Sequence, residues 1–291
     1  MACSICGGHV DRHYEGLVLG KHLARYYRCR DCGFLQVRNP TWLSEAYSSA
    51  MTAVDLGHVH RCDFYSRIAK SLIQVLYDPR GRFVDYGAGY GLFVRRMRDL
   101  GYDFRWYDKY CENLFAKGFE TQVGETGRYE LATAFEVFEH WTEPETQVAD
   151  IARLSQEILF TTEVLPMQPP PLEDWWYYGI EHGQHIAFYT VESLTRLARR
   201  FGSRLVTNGR DLHLFTRKRL PQSLFRLITK PRMSAWINRL RSMPSLLPRD
   251  FQEVRRQVLS RLPKTDGVCS TTDVTRQDGW ISPEGHPMKQ S

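Results

Sequence analysis

The 291-residue chain has no run of about 18 apolar residues, so no bilayer-spanning helix is expected. Its first residues lack the basic, apolar and small-residue succession of a secretory leader, and the expectation is a cytoplasmic protein. Internal repeats and long low-complexity runs are also missing, which excludes repeat architectures. Cysteine is scarce outside two tight pairs. Of seven cysteines, Cys62, Cys111 and Cys269 are scattered, an arrangement that argues against a disulfide framework. Acid is nearly absent from one stretch. Residues 217–264 hold thirteen Lys/Arg against Asp250 and Glu253, so a formal net charge of +6 conceals a mildly acidic body and a basic late segment.

What is present is ordinary for a globular protein: 42% hydrophobic residues and 25% charged, with a generous 13% aromatic. That length supports one large domain with appendages. The remaining four cysteines form two Cys-x-x-Cys pairs, Cys3/Cys6 and Cys29/Cys32. Each pair can grip one metal from a turn, and four thiolates close a tetrahedral shell, so residues 1–40 are expected to be a structural zinc module. Gly7-Gly8 and Gly33 follow the second cysteine of each pair, as a knuckle turn requires. A redox role is disfavoured because two such pairs coexist.

Residues 41–78 carry a helical rhythm in Phe64, Ile68, Leu72 and Val75/Leu76, ended by Pro79, and are expected to form a helical lead-in or lid. From 79 to 219 strands and helices alternate. Strand signals lie in RFVDY, DFRWYD, YELATAF, EILFTTEVL, SRLVTNGRD and LHLFTRK, and helix signals in GLFVRRMRDLG, VADIARLSQ and TVESLTRLARRFG. Such alternation implies an α/β core with a mostly parallel sheet and helices on both faces. Residues 220–264 hold two amphipathic stretches, Met233/Trp236/Ile237/Leu240 and Phe251/Val254/Val258/Leu262. Residues 265–291 are polar and read as loop or disordered tail.

The central motif is Asp85-Tyr86-Gly87-Ala88-Gly89-Tyr90-Gly91, directly after a strand and opening a helix. Side-chain-free residues there let backbone amides approach a ligand at a helix N-terminus. Asp108 follows at the end of the next strand, where an acid grips ribose hydroxyls. The bland alternative is a tight turn with a surface aspartate.

These residues resemble the S-adenosylmethionine-binding motifs of class I methyltransferases, with the spacing D-x-G-x-G-x-G. TAFEVFEHWTEP (133–144) is similar to the segment after the fourth strand of the ubiquinone-type branch. WWYYGIEHGQHIAFYTVESL (175–194) is similar to that branch's substrate-side loop. The resemblance covers about 82–216 and implies a doubly wound, seven-stranded Rossmann-like sheet. It also implies that Asp85, Tyr86, Gly87, Gly89 and Gly91 bind the cofactor, that Asp108 holds the ribose and that Glu136 lies near the cofactor's centre. The adenine is expected near Gly124–Glu125. A sulfonium methyl is electrophilic without a metal, so the site must align the reactants and exclude water. Acids such as Asp85, Asp108 and Glu136 suit a cationic cofactor, and Tyr86, Tyr90, Trp176 and Tyr178 offer aromatic walls.

An alcohol nucleophile needs its proton removed. His185, in the H-I-x-F-Y block, ranks first for that role and His140 second, with His182 behind them. For each, the alternative is a histidine simply hydrogen-bonded in place. A similar zinc module precedes the core in deoxysugar C-methyltransferases and in a guanine methyltransferase of ribosomal RNA. The chain is shorter than the deoxysugar enzymes and shows none of their C-terminal domain, so their substrate does not carry over. The expected acceptor is a small molecule or a sugar unit of a glycan or lipid-linked intermediate, methylated on oxygen or carbon, as in polysaccharide biosynthesis. The alternatives are an RNA methyltransferase and a non-catalytic binding protein. For 220–264 the first reading is a helical cap on the core, followed by docking to the inner face of an anionic membrane, with nucleic acid third.

Overall fold

The computed structural model describes residues 2–48, 55–121 and 129–262. The expected adenine segment Gly124–Glu125 and the tail 265–291 lie outside them. The chain divides into two compact units, Met1–Val254 and Arg255–Ser291.

In the first unit, β4 (Arg82–Tyr86), β5 (Asp103–Tyr107), β6 (Leu131–Ala134) and β7 (Ile158–Thr161) are parallel neighbours in a six-stranded sheet of order β5-β4-β6-β7-β10-β9. The reversed strand β10 (Leu212–Thr216) pairs antiparallel with both β7 and β9 (Arg204–Thr207). All residues of β6 and β7 are buried, which explains why both read as continuous apolar runs rather than alternations. Helices α4 (Pro144–Leu154) and α5 (Val191–Arg200) send Val148, Ile151, Leu194 and Leu197 into one face. Helices α2 (His58–Leu76), α3 (Leu92–Asp99) and α6 (Gln222–Ile228) send Ile68, Leu72, Val94 and Phe225 into the other.

The expected seventh strand is reduced to one parallel bridge, Trp106 with Glu120, on the outer edge of β5 among the described residues.

Residues 1–40 are not a free-standing module. β1 (Val10–Val18), β2 (His22–Cys29) and β3 (Leu35–Val37) form a second sheet whose fourth strand, β8 (Ala187–Phe188), comes from the H-I-x-F-Y block. Leu35 pairs with Phe188 and Gln36 with Ala187. Tyr26, Leu35, Tyr178, Ile186 and Phe188 make this sheet's own core. In the lead-in, a short α1 (Leu43–Ala46) precedes α2.

α7 (Pro231–Leu240) lies on α2, and the cap reading holds there with a shifted face. Ser234 Oγ and Asn238 Nδ2 both donate to the Arg67 carbonyl at 2.9 Å, and Ile237 is half-buried. Trp236 and Leu240 of the expected stripe point outward, 57% and 65% exposed. α8 (Leu247–Arg261) begins in the first unit, where its Asp250 is buried. In the second unit, Val258 and Leu259 of α8 and Leu262 just after it are exposed among the described residues, so the second expected stripe is not buried there.

Candidate active site

β4 has β5 on one side and β6 on the other, so the strand order reverses at its C-terminal end, where ligands bind in open α/β sheets. The glycine turn sits there. Gly87, Gly89 and Gly91 all have positive φ, at 71°, 53° and 87°. A Cβ at Gly87 would lie 2.8 Å from Val137, and one at Gly91 would lie 2.8 Å from the Asn113 Oδ1. A Cβ at Gly89 would meet nothing within 4 Å, because that position faces open space. The turn therefore needs glycine twice for packing and once for an unobstructed wall.

That wall belongs to a cavity of about 1150 Å³. Every site residue expected from the sequence outside the cysteine pairs and Gly91 lines it: Asp85, Tyr86, Gly87, Gly89, Asp108, Glu136, His140 and His185. Gly91 stands behind, as the left-handed N-cap of α3. Tyr90 and the exposed Trp176 also line the cavity, but Tyr178 does not. Tyr178 is buried among Tyr26 and Phe188 instead, where the second sheet needs an aromatic filler. A smaller, open hollow of about 520 Å³ near Glu130 and Arg153 lies at the N-terminal ends of β6 and β7, away from the glycine turn.

The acids are not equivalent. Asp108 fastens the turn: its Oδ2 accepts from Gly89 N at 2.9 Å and its Oδ1 accepts from Tyr110 N and Cys111 N at 2.7 and 2.8 Å. A carboxylate offers about four lone-pair positions, so one remains for a ligand hydroxyl. Asp85 is only 4% exposed, and its Oδ1 accepts from Thr133 Oγ1 at 2.5 Å. Burial pushes its pKa up to about 7, against the pull of the Thr133 bond. It is thus a buried carboxyl at the cavity floor rather than an open acidic mouth.

Glu136 adopts φ 54°, rare for a residue with a side chain. Thr161 holds it there, accepting from Glu136 N at 2.7 Å and donating to Glu136 Oε1 at 2.8 Å. Arg61 of α2 stands 3.7 Å from Glu136 Oε2 and is anchored by Asp55 at 2.6 Å. Arg61, Asp55 and Tyr47 were missed by sequence reasoning. Their signal was the polar spacing Asp55, His58, Arg61 at the start of α2, on the cavity side of that helix.

Two of the histidines face backbone carbonyls. His185 Nδ1 lies 2.6 Å from the Tyr177 carbonyl and His140 Nδ1 lies 3.1 Å from the Gln184 carbonyl. A carbonyl only accepts, so a proton on Nδ1 would satisfy each of these contacts and leave a lone pair on Nε2. Tyr47 also reaches His140 Nδ1, at 2.9 Å. Burial holds both rings neutral, lowering the His140 pKa to about 4 and that of His185 well below the usual range. His182 Nδ1 is used locally, accepting from Gln184 N.

The four paired cysteines converge as expected. Cys3 and Cys32 sulfurs lie 3.7 Å apart and those of Cys6 and Cys29 3.4 Å apart, with all four within 4.8 Å. Zinc with thiolate bonds of about 2.3 Å needs S–S separations of about 3.8 Å, so the donor set fits a closed four-sulfur shell. Gly7 and Gly33 supply the positive φ of the two knuckles. The cluster is tied to the cavity walls. The Cys32 carbonyl accepts from Thr190 Oγ1, the residue that caps α5 in a capping box with Ser193. Buried Gln36 donates to the Thr142 carbonyl at 2.7 Å, just beyond His140.

The family model described as "Methyltransferase domain" matches residues 60–208. No curated protein matches the chain. Among solved structures, magnesium protoporphyrin IX methyltransferase from Synechocystis with bound SAH is 14% identical, covering 60% of this chain and 93% of that one, at a TM-score of 0.41. An O-methyltransferase family protein from Burkholderia thailandensis is 13% identical over 61% and 68%, with a TM-score of 0.39. A possible histamine N-methyltransferase from Thermotoga maritima is 13% identical over 62% and 98%, with a TM-score of 0.41.

Proposed function

The chain belongs to the methyltransferase-domain family and is an S-adenosylmethionine-dependent methyltransferase, and from that premise we propose that it methylates a small-molecule or sugar-type acceptor in the cavity above β4. The observation that carries this reading is that the glycine turn, its two aspartates and two histidines all line one cavity. On this reading the glycine turn with Asp85 and Asp108 would take the cofactor, and His140 and His185 would face the acceptor.

Bound there, S-adenosylmethionine supplies an electrophilic methyl group. The unobstructed Gly89 lets the cofactor lie against backbone, and Asp108 keeps a lone pair for a ribose hydroxyl. Asp85 and Glu136 provide negative charge for a sulfonium cation in a site of restricted water access. The four cysteines would hold a structural zinc, whose role is to fix β3 and, through it, β8 and the loop bearing His185.

The cavity's charge favours a neutral or cationic acceptor over nucleic acid. Its lining carries six carboxylates against Arg61 and Lys109, a poor surface for a polyphosphate chain. Calorimetry with S-adenosylmethionine and methyl-label transfer into fractionated cell extract test the reading together. Label in the glycolipid or small-molecule fraction is expected. Label in RNA would replace the acceptor class, and absence of cofactor binding would leave a non-catalytic scaffold.

A further inference from the structure

Beside the cavity, Glu139, His140 and His185 bring three possible ligand atoms together. One ligand atom each from Glu139, His140 and His185 lies within 4.8 Å of the other two. Glu139 is fully buried, and both its carboxylate oxygens lack a hydrogen-bond partner. The Tyr177 hydroxyl near it is engaged with Thr162 Oγ1 at 3.1 Å. The two imidazoles turn their Nδ1 atoms to backbone carbonyls, and with the proton there their Nε2 atoms are acceptors as well. A buried carboxyl group without a hydrogen-bond partner is unfavourable, and a bound cation would satisfy it. Something positive is missing from the centre.

We propose that Glu139, His140 and His185 bind a divalent transition-metal ion, distinct from the cysteine cluster, whose remaining positions take an oxygen of the acceptor. This deepens the reading of the cavity as a methyl-transfer site and rests on it. Two neutral imidazoles and a carboxylate suit zinc, manganese or iron, and three protein ligands leave positions open toward the cavity. The outer contacts are those of metal-binding histidines, which donate their second ring N–H to a carbonyl or carboxylate. Here the Tyr177 and Gln184 carbonyls fill that place. Bonds of about 2.0–2.2 Å require the donor atoms to close to roughly 3–4 Å, a small rotation of side chains that already point together.

The local fold serves this convergence. Glu139 and His140 occupy one 3-10 turn (Phe138–His140), and Ile186, the residue after His185, donates its N–H to the Glu139 carbonyl at 2.8 Å. The H-I-x-F-Y block is thus laid directly against the E-H dipeptide. The acceptor class follows. A metal-bound hydroxyl has a lowered pKa, so the acceptor is an alcohol or phenol and the product a methyl ether. The O–H bond breaks with its proton passing to water, the oxygen pair forms the new O–CH3 bond, and the C–S bond electrons return to sulfur, releasing S-adenosylhomocysteine.

The test is a Mn²⁺ titration of the full-length, zinc-loaded protein followed by electron paramagnetic resonance, because a four-thiolate site does not favour manganese. One Mn²⁺ per chain is expected in the wild type. Glu139→Gln and His185→Gln should weaken it roughly 100-fold. Calorimetry on the same samples should show S-adenosylmethionine binding within a few-fold of wild type in both variants. Wild-type protein that takes up neither Mn²⁺ nor a second zinc overturns the proposal, as do variants that bind Mn²⁺ as tightly as the wild type. If a variant loses cofactor binding through misfolding, His140→Gln and the wild-type stoichiometry decide. Failure of the cavity reading is separable: it appears as Mn²⁺ bound with no cofactor binding.

Discussion

Asp85 is the residue where charge, burial and ligand meet. Its folded pKa of about 7 stands above an unfolded value near 3.9, so the folded state holds the proton more tightly. Stability therefore falls as pH rises from about 4 through 7 and levels off above, since only the native state is burdened by burying the charge. Asp85→Asn keeps the shape and an acceptor for Thr133 Oγ1 but removes that burden. The variant should gain about 2 kcal/mol more relative to wild type at pH 8 than at pH 5, read from thermal or urea denaturation at both values. An equal difference at the two pH values would refute the assignment. The same substitution should weaken S-adenosylmethionine binding, because the cation loses its buried counter-charge. Conserving the fold while losing the ligand is the signature of a functional carboxyl.

At the level of elements, two attachments decide what moves with what. α8 is anchored to α3 through Arg98, which is fully buried. It donates through Nε and Nη2 to both oxygens of Asp250 at 2.8 Å, to the Phe104 carbonyl at 2.9 Å, and stacks 3.7 Å over Phe119. Burial raises the Asp250 pKa, but pairing with Arg98 and Arg95 outweighs it and holds the carboxyl below its usual range. Its stabilisation is thus present above pH 4 and lost as pH falls through the folded pKa. Asp250→Ala removes two of the buried Arg98 guanidinium's bonds while Asp103 and the Phe104 carbonyl remain, and should cost about 3 kcal/mol in urea denaturation at pH 7, shrinking in acid. A loss below about 1 kcal/mol would show that Arg98 finds other partners. The second attachment is the seam of β3 and β8. Val37 donates to the Ile186 carbonyl at 2.8 Å, and Ile186 donates to Glu139. Stripping zinc from the cysteine cluster should therefore speed amide hydrogen exchange at Val37 and Ile186 while leaving Leu214, in the centre of the main sheet, protected. Unchanged protection at Ile186 in zinc-free protein would mean that the seam holds without the metal.

Across the whole molecule, what could be read in advance was what is local. The glycine turn with its flanking strand, and each Cys-x-x-Cys pair, are encoded within a few residues. The β3–β8 seam joins residues more than a hundred positions apart, so the strand by which 1–40 meets the H-I-x-F-Y block was not legible in either segment. Arg98 sits in RRMRDL and looks like a solvated face until Asp250 arrives from α8. The metal-like trio was divided between two motifs, and nothing in either motif indicates that the Tyr177 and Gln184 carbonyls orient both rings. The face that α7 buries was misjudged for a related reason: Arg67 offers a carbonyl to Ser234 and Asn238, which draws that polar side inward and turns Trp236 out. This outward face gives the uneven charge a physical consequence. Between 217 and 254 exposed Trp236 and Leu240 stand beside Arg232 and Arg239 in a segment almost free of acid. An aromatic anchor with flanking arginines suits an anionic bilayer surface, at about 1 kcal/mol for each basic residue near it. Full-length protein should co-sediment with vesicles containing phosphatidylserine and not with neutral ones, and should release as salt is raised. Trp236→Ala and Arg232→Glu/Arg239→Glu should each weaken the binding while leaving S-adenosylmethionine affinity unchanged. Binding to RNA with a steep salt dependence and none to vesicles would assign the basic segment to phosphodiester contacts instead, and would favour RNA over the proposed small acceptor.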